Sequence, residues 1–492
     1  MIDSLSDKIC SSFNVIASVD AGDITSAKGS IYKFLHDNNQ ESFEPLDRIV
    51  IYSSRFLGKE FVEELYHAAE TIDITPYFIL ICGNPKNKPL IQHCANSNDS
   101  WNWFSFEKQI FKTETKPIYF TALDQNTLCP LPWSHLEIKN NGSIAPCCVN
   151  NDNLGNVVNT TINDAFYSKK MQMLRESMLN GERPESCKHC WRLDDNNLTS
   201  SRVRHLEFYK KQFLTKYVHN PGISSLDIKP GNLCNFKCRI CNTEASSSHI
   251  KEQNQFRTIP LSPSNWAESE SLLTSDILEL NDQLQNLDFY GGEPFLVKSL
   301  TKLVEKLSKT KNVENIRLHY NTNGSVFPEF LVDYWKKFKE INIMFSIDDI
   351  GDRFEIQRGG NWNSVDKNIE KFCDLDLDNL DLGVMPTINV MNILYINEVM
   401  EWADEKNLTV HFNYLKGPIG YSLNQLTRSA KDSIFKKYHN TKYTEIENLM
   451  RDIDDMPDGD GKEFLKITNY YDNIRSENFY TSHSEIFTAM SS

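Results

Sequence analysis

From about residue 222 onward, strand-like and helix-like segments alternate six times, and this alternation limits the possible folds more than any other feature of the sequence. The strand-like segments cover 223–229, 284–290, 314–321, 341–347, 382–388 and 409–415. Segments with the apolar spacing of amphipathic helices lie between them, including 296–310, 327–340, 364–375 and 393–407. The pattern predicts a parallel sheet with crossover helices, as an open barrel or a doubly wound sheet.

Polar or cysteine-rich segments follow the first four predicted strands. They read PGNLCNFKCRIC (230–241), GGEP (291–294), NTNG (321–324) and DDIGD (348–352). The carboxyl ends of parallel strands lie at one edge of a sheet, where α/β proteins bind their ligands. We therefore expect these four segments to share one rim.

The first of these segments holds Cys234, Cys238 and Cys241 within eight residues, without a fourth cysteine nearby. With 12 cysteines in 492 residues, chance would produce this spacing fewer than about 0.01 times. A structural zinc site needs four ligands, and an ordinary iron–sulfur cluster also takes four cysteines. Three thiolates would leave one metal position open to another ligand.

The loop CNFKCRIC resembles the CxxxCxxC signature of the radical S-adenosylmethionine (SAM) enzymes, and the similarity extends over roughly residues 222–415. It implies a 4Fe–4S cluster held by Cys234, Cys238 and Cys241, with SAM chelating the free iron. The resemblance assigns SAM binding to six further residues: Gly291, Gly292, Glu293, Ser346, Asp348 and Arg358. Among them, Glu293 would accept from the methionine ammonium, Ser346 and Asp348 would contact the ribose, and Arg358 would pair with a carboxylate.

The same resemblance implies a reaction. One-electron cleavage of SAM yields a 5′-deoxyadenosyl radical, which abstracts hydrogen from a substrate carbon. A reduced flavodoxin or ferredoxin is the expected electron donor. The resemblance assigns no catalytic side chain of this chain.

A second cysteine group precedes the alternating region. Cys129, Gly142 and Cys147 have the spacing Cx(12)Gx(4)C, and two further cysteines, Cys187 and Cys190, follow an amphipathic helix predicted over 161–181. Two such pairs suit four-coordinate thiolate ligation, by an iron–sulfur cluster or by zinc. The arrangement is similar to the twitch or SPASM module of radical SAM proteins, which implies a second, auxiliary 4Fe–4S cluster. Cys148 is an alternative to Cys147, and the module here precedes the barrel instead of following it.

The predicted fold class is α/β, with a partial (β/α)6 TIM-like barrel. We expect four regions: an N-terminal α/β domain (1–115), the auxiliary cysteine module (116–205), the barrel (206–416) and a C-terminal helical tail (417–492). Within the first region, strands are predicted over 48–54 and 75–83, with a helix over 58–72 between them.

Composition restricts the partners. The formal net charge of −15 argues against broad binding to nucleic acid or to anionic membranes. The N-terminus lacks the basic start and apolar core of a signal peptide, so a cytoplasmic protein is expected. The best-known family members with this cysteine module modify peptides or proteins, and a peptide is therefore the expected substrate. The alternatives are a sugar or nucleotide-like metabolite, or a catalytically silent metal-binding interaction protein.

Overall fold

The computed structural model describes the backbone of four strands before residue 127, and then residues 127–196, 198–212, 221–264 and 266–491. The chain divides into two compact units. Unit 1 comprises Met1–Trp133, Val149–Asn151 and Lys169–Pro221, and unit 2 comprises Ser134–Cys148, Asp152–Ser168 and Gly222–Ser492.

Unit 1 contains a four-stranded parallel sheet in which the strands lie in chain order. Its strands are β1 (Asn14–Asp20), β2 (Asp47–Ser53), β3 (Phe78–Gly83) and β4 (Tyr119–Ala122). The two strands predicted over 48–54 and 75–83 are confirmed as β2 and β3, whereas β1 and β4 were not predicted. The helix predicted over 58–72 lies outside the described residues.

The helix predicted over 161–181 is wrong as a single element, because two helices occupy this stretch, Ile162–Phe166 and Lys169–Leu179. Thr161 caps the first, its hydroxyl accepting from the Asp164 amide at 3.0 Å. Tyr167 leaves the helical conformation at the other end. Of these two helices, only Lys169–Leu179 belongs to unit 1, which also contains the helices Lys188–Asp195 and Ser201–Gln212.

Unit 2 contains a nine-stranded sheet in which all strand pairs are parallel except the last two pairs at one edge. In chain order these strands are β5 (His135–Ile138), β6 (Ser143–Ala145), β7 (Gly155–Asn156), β8 (Ser225–Ile228), β9 (Asn286–Phe289), β10 (Arg317–Thr322), β11 (Glu340–Phe345), β12 (Leu380–Val384) and β14 (Thr409–Val410). Two short strands, β13 (Thr387–Ile388) and β15 (Asn413–Tyr414), pair separately. All six predicted strands of the alternating region are therefore confirmed, and the last two are each split in two.

The strand order distinguishes between the two predicted architectures. The order is β14-β12-β11-β10-β9-β8-β5-β6-β7, so each of the six repeating strands lies beside its predecessor. A doubly wound sheet would reverse its order at a switch point. The described strands do not close into a ring, and the sheet is a partial barrel, as predicted. The hairpin strands of the cysteine module extend this sheet, because β5 pairs in parallel with β8.

Helices follow the strands of the barrel. Those of unit 2 up to residue 405 are Ile162–Phe166, Ser247–Asn254, Glu270–Glu279, Lys298–Leu307, Val332–Trp335, Gly351–Arg358, Trp362–Cys373 and Ile396–Glu405. The helix predicted over 327–340 is shorter than expected. At its end, the side-chain amide of Asn379 donates to the carbonyls of Trp335 (2.9 Å) and Phe338 (2.7 Å).

One face of the sheet forms the hydrophobic core. Leu226, Leu287, Leu318 and Ile341 occupy directly paired positions on adjacent strands and are fully buried. Aromatic rings pack above them, with the centroids of Phe295 and Tyr320 5.0 Å apart.

The helices that follow the barrel are Arg428–Tyr438, Thr444–Asp454, Lys462–Arg475, Phe479–Ser482 and Ser484–Ser491. These helices belong to the same compact unit as the barrel. Among the residues with a described position, no helix combines the length and apolar character needed to cross a membrane.

Candidate functional site

The three-cysteine loop begins directly after β8. Cys238 is buried, whereas Cys234 and Cys241 are partly exposed. Burial, with a smaller contribution from the charge of neighbouring Cys238, raises the pKa of Cys234 to about 11 and that of Cys241 to about 12. The three thiols are therefore close enough to interact, and a bound metal would favour their thiolate forms.

The start of the helix Ser247–Asn254 fixes the backbone of this loop. The hydroxyls of Ser247 and Ser248 donate to the Cys234 carbonyl at 3.1 and 2.8 Å. On the other side of the loop, the Nε2 atom of His249 lies 2.8 Å from the Cys238 carbonyl oxygen. Two of the three cysteines are thus held through their main chain, independently of their thiols.

Phe236, between the first two cysteines, is buried against Gly360. A Cβ atom at position 360 would lie only 2.1 Å from Cζ of the Phe236 ring. The ring also meets Phe354 edge to face, with centroids 6.1 Å apart. Glycine is therefore required at position 360 if Phe236 and the cysteine loop are to keep their positions.

The GGEP segment contacts the cysteine loop through its backbone. The Glu293 amide donates to the Leu233 carbonyl at 2.8 Å. Gly292 has φ of +52°, and a Cβ atom there would lie 2.3 Å from the Leu233 oxygen. Only glycine permits this close approach.

The Glu293 carboxylate joins the ends of β9 and β10. It is fully buried and accepts from the Phe295 amide (3.1 Å), the Thr322 hydroxyl (2.8 Å) and the Asn323 amide (2.7 Å). Burial raises its pKa to about 7, against the lowering effect of these donors. Its predicted contact with the SAM ammonium stays a prediction, because the donors observed here all come from the protein. The carboxylate positions the GGEP and NTNG segments relative to each other.

Asp348 and Arg358, predicted to contact different parts of SAM, pair with each other. The Arg358 Nη1 atom donates to Asp348 Oδ2 at 2.6 Å, and both side chains are buried. The other Asp348 oxygen accepts from the Thr387 amide at 2.7 Å. The Arg358 guanidinium also lowers the pKa of Cys238, against the larger raising effect of burial, so it lies close to the cysteine loop. Ser346 is half-buried, and its amide donates to the Thr322 carbonyl at 2.8 Å.

Three predicted ligands of the auxiliary site are neighbours in unit 1. Burial raises the pKa of the Cys129 thiol, and the charges of Cys187 and Cys190 add to the rise. The side-chain amide of Asn150 donates to the Cys187 sulfur at 3.4 Å. Cys147 and Cys148 belong to unit 2, where Cys147 is buried and Cys148 is exposed. The assignment of Cys147 as the fourth ligand, with Cys148 as the alternative, stays a prediction.

A buried arginine connects the sequence neighbours of these cysteines. Arg202 donates to Asp194 through Nε (2.9 Å) and Nη2 (2.6 Å), and to the Leu128 carbonyl through Nη1 (2.9 Å). Asp194 lies on the helix that carries Cys190, and Leu128 precedes Cys129. Sequence analysis did not identify Arg202, because no motif includes it.

The donor set of the three-cysteine loop suits an iron–sulfur cluster. Thiolates are the soft ligands that such clusters take. Within the described ranges, no three His, Cys, Asp or Glu side chains converge on a single metal ion. A cubane cluster binds each cysteine through a different iron, so its ligands need not converge on one point. Cys234, Cys238 and Cys241 would hold that cluster.

Comparison with known proteins agrees with this geometry. The model of the Radical SAM superfamily matches residues 228–403, and that of the SPASM iron–sulfur cluster-binding domain matches residues 129–191. A GTP 3′,8-cyclase from Desulforamulus reducens is 28% identical over 214 residues, which is 41% of this chain and 58% of that protein. A GTP 3′,8-cyclase from Clostridium botulinum is 30% identical over 196 residues, 39% of this chain and 54% of that protein. The chain thus spans little more than half the length of these relatives.

The similar solved structures include SuiB of Streptococcus suis bound to S-adenosylmethionine, with 14% identity and a TM-score of 0.30 over 55% of this chain and 63% of SuiB. A superposition with so low a score supports no conclusion about this chain. The predicted order of the two domains is confirmed by the family models. The chain contains a Radical SAM superfamily domain, which implies a 4Fe–4S cluster and SAM as cofactors, and N-terminal to it an iron–sulfur cluster-binding domain of the SPASM type.

Proposed function

We propose that this protein is an enzyme that cleaves SAM reductively and uses the resulting radical to abstract hydrogen from a substrate carbon. The observation that carries this proposal is the three-cysteine loop, which is held by backbone hydrogen bonds at the rim formed by the ends of β8, β9 and β10. When bound, the cluster and SAM supply the 5′-deoxyadenosyl radical. Electrons would come from a reduced flavodoxin or ferredoxin.

The chain's own residues hold and orient these groups. Cys234, Cys238 and Cys241 would ligate the cluster, and Arg358 would offset part of the negative charge of the thiolates. Glu293 keeps two loops of the rim in fixed relative positions, which limits the motion of a bound cofactor. Gly292 keeps the backbone free of a side chain where the GGEP segment meets the cysteine loop.

For the substrate, we propose a peptide or protein. The support is the SPASM domain, because peptide modification is what the resemblance to family members with this module implies. The names of the curated relatives favour a second candidate, a nucleotide such as GTP. Against a triphosphate stand the carboxylates of Glu137, Asp227 and Asp288 on adjacent strands of the barrel, which would repel it. The complete cysteine motif argues against a catalytically silent interaction protein.

The test is SAM cleavage by the anaerobically reconstituted protein. Wild-type protein with a low-potential reductant should form 5′-deoxyadenosine and contain about eight iron atoms per chain, or about four if the auxiliary site holds zinc. Replacing Cys234, Cys238 and Cys241 together by alanine should abolish 5′-deoxyadenosine formation. Cys373→Ala, which alters an exposed cysteine on a helix, is the matched control and should leave cleavage unchanged. Wild-type rates in the triple variant would refute the proposal.

A further inference from the structure

The sheet face opposite the hydrophobic core carries a row of polar side chains across the barrel. Glu137, Asp227 and Asp288 occupy directly paired positions on β5, β8 and β9, so their side chains share this face. The row of directly paired polar residues continues across the sheet through His319, Asn342 and Asp381. In closed barrels such positions are filled mainly by branched apolar residues. Here the three carboxylates adjoin one another at one end of the row, which we call the carboxylate strip.

Among the described residues, two basic side chains meet the strip. The Lys229 ammonium donates to Glu137 Oε1 at 2.6 Å, and His135 Nε2 lies 3.7 Å from Asp227 Oδ2. Like charges directly opposite in a sheet are destabilising. Burial raises the pKa of Asp227 well above its usual value, and the charges of Asp288 and Glu137 add to this effect. An additional cation would relieve the repulsion.

Glu137 contributes an oxygen that lacks a hydrogen-bond donor. Glu137 is fully buried, and its Oε2 atom has no hydrogen-bond partner among the described residues. Leaving a buried acceptor unsatisfied is destabilising, and more so when the acceptor is charged, which is a reason to expect a donor from a ligand. A ligand can reach the strip, because the side chains of Asp227 and Lys229 are 17% and 30% exposed.

The strip also lies on the strands that carry the candidate site. Asp227 is on β8, which leads into the three-cysteine loop, and Asp288 is on β9, which leads into the GGEP segment. A group bound at the strip would therefore belong to a molecule on the inner face of the barrel.

We propose that the carboxylate strip binds an alkylammonium group of the substrate, such as a lysine side chain of a peptide. This inference rests on the proposed function, since it identifies the strip as part of the substrate site. Adjacent strands lie about 4.8 Å apart, so neighbouring carboxylates of the strip can accept from different N–H donors of one ammonium. A guanidinium prefers both oxygens of one carboxylate, and at Glu137 one of them is already bound to Lys229.

The test uses two probes that differ only in the terminal ammonium group, Nα-acetyl-lysine methylamide and Nα-acetyl-norleucine methylamide. Binding to the full-length, anaerobically reconstituted protein is measured by titration calorimetry in the presence of SAM. Wild-type protein should bind the lysine probe at least about fivefold more tightly than the norleucine probe. Asp227→Asn, which retains the shape of the side chain, should remove most of this preference without changing norleucine binding. Glu137→Gln provides a second variant with the same expectation.

Asp381→Asn is the matched control, because Asp381 lies at the far end of the same row and is exposed. It should retain the preference of the wild type. The inference is overturned if the two probes do not differ, which includes the case that neither binds. It is also overturned if Asp227→Asn retains the preference, or if Nα-acetyl-arginine methylamide binds more tightly than the lysine probe. Probe binding needs no turnover. If the protein preferred the lysine probe but did not cleave SAM, only the proposed function would be refuted.

Discussion

Replacing Arg239 by methionine should lower the free energy of unfolding of unit 2 by about 3 kcal/mol. Arg239 lies between the second and third cysteines of the loop and is fully buried. Its Nη2 atom donates to Asp472 Oδ1 at 2.5 Å and to Glu477 Oε2 at 2.7 Å. Methionine fills part of the volume but leaves both carboxylates without their cation.

The expected loss of stability depends on how deeply Arg239 and its two carboxylate partners are buried. Breaking a buried ion pair on one side typically costs about 3–5 kcal/mol, because the remaining charge stays desolvated. Asp472 and Glu477 retain 19% and 20% of their side-chain exposure, so the lower end of this range is expected. The substitution also removes the hydrogen bond from Arg239 Nε to the Ile356 carbonyl at 3.2 Å.

Guanidinium denaturation followed by circular dichroism gives the change in stability, and hydrogen exchange shows where it arises. Exchange should accelerate in the helix Lys462–Arg475 and in the cysteine loop. Arg428→Met is the control, since Arg428 forms an exposed pair with Asp432 that should contribute no more than about 0.5 kcal/mol. If Arg239→Met and this control had the same stability, the buried pair would not connect the loop to the C-terminal helices.

Arg239 also illustrates what could not be predicted from the sequence. Its position is unspecified in the CxxxCxxC signature, and its partner Asp472 lies 233 residues away. Local patterns carry no information about a contact at that separation. The same applies to the pairing of Asp348 with Arg358, because a motif indicates which residues lie at a rim but not which neighbour each will bind.

The positions of the strands and of the segments that follow them could be predicted more fully. The strands of the barrel follow from apolar alternation, and the rim follows from the geometry of parallel strands, so the positions of the three-cysteine loop and GGEP were predictable. The role of Glu293 was less predictable from the sequence. Its carboxylate accepts from Phe295, Thr322 and Asn323, contacts that no motif indicates, and its contact with a ligand ammonium stays a prediction. The carboxylate strip was missed because its members are single polar residues in separate strands, and only the register aligns them.

Gly360→Ala should remove most of the iron from the three-cysteine site, a loss of about four iron atoms per chain after reconstitution. The new Cβ atom would lie 2.1–2.7 Å from three atoms of the Phe236 ring, Cζ, Cε1 and Cε2. The ring is 5% exposed and packs against Phe354, so it cannot move aside without displacing the loop. Overpacking of this kind costs about 1–3 kcal/mol.

A compensating substitution separates this steric mechanism from general destabilisation. Leucine at position 236 lacks all three of the clashing ring atoms, so Phe236→Leu combined with Gly360→Ala should hold more iron than Gly360→Ala alone. Gly417→Ala serves as the control, because no atom lies within 4 Å of a Cβ atom built there, and its iron content should equal that of the wild type. Iron and acid-labile sulfide are measured on each reconstituted protein. Equal iron in Gly360→Ala and the wild type, or no recovery in the double variant, would show that contact between Phe236 and Gly360 does not determine the shape of the cysteine loop.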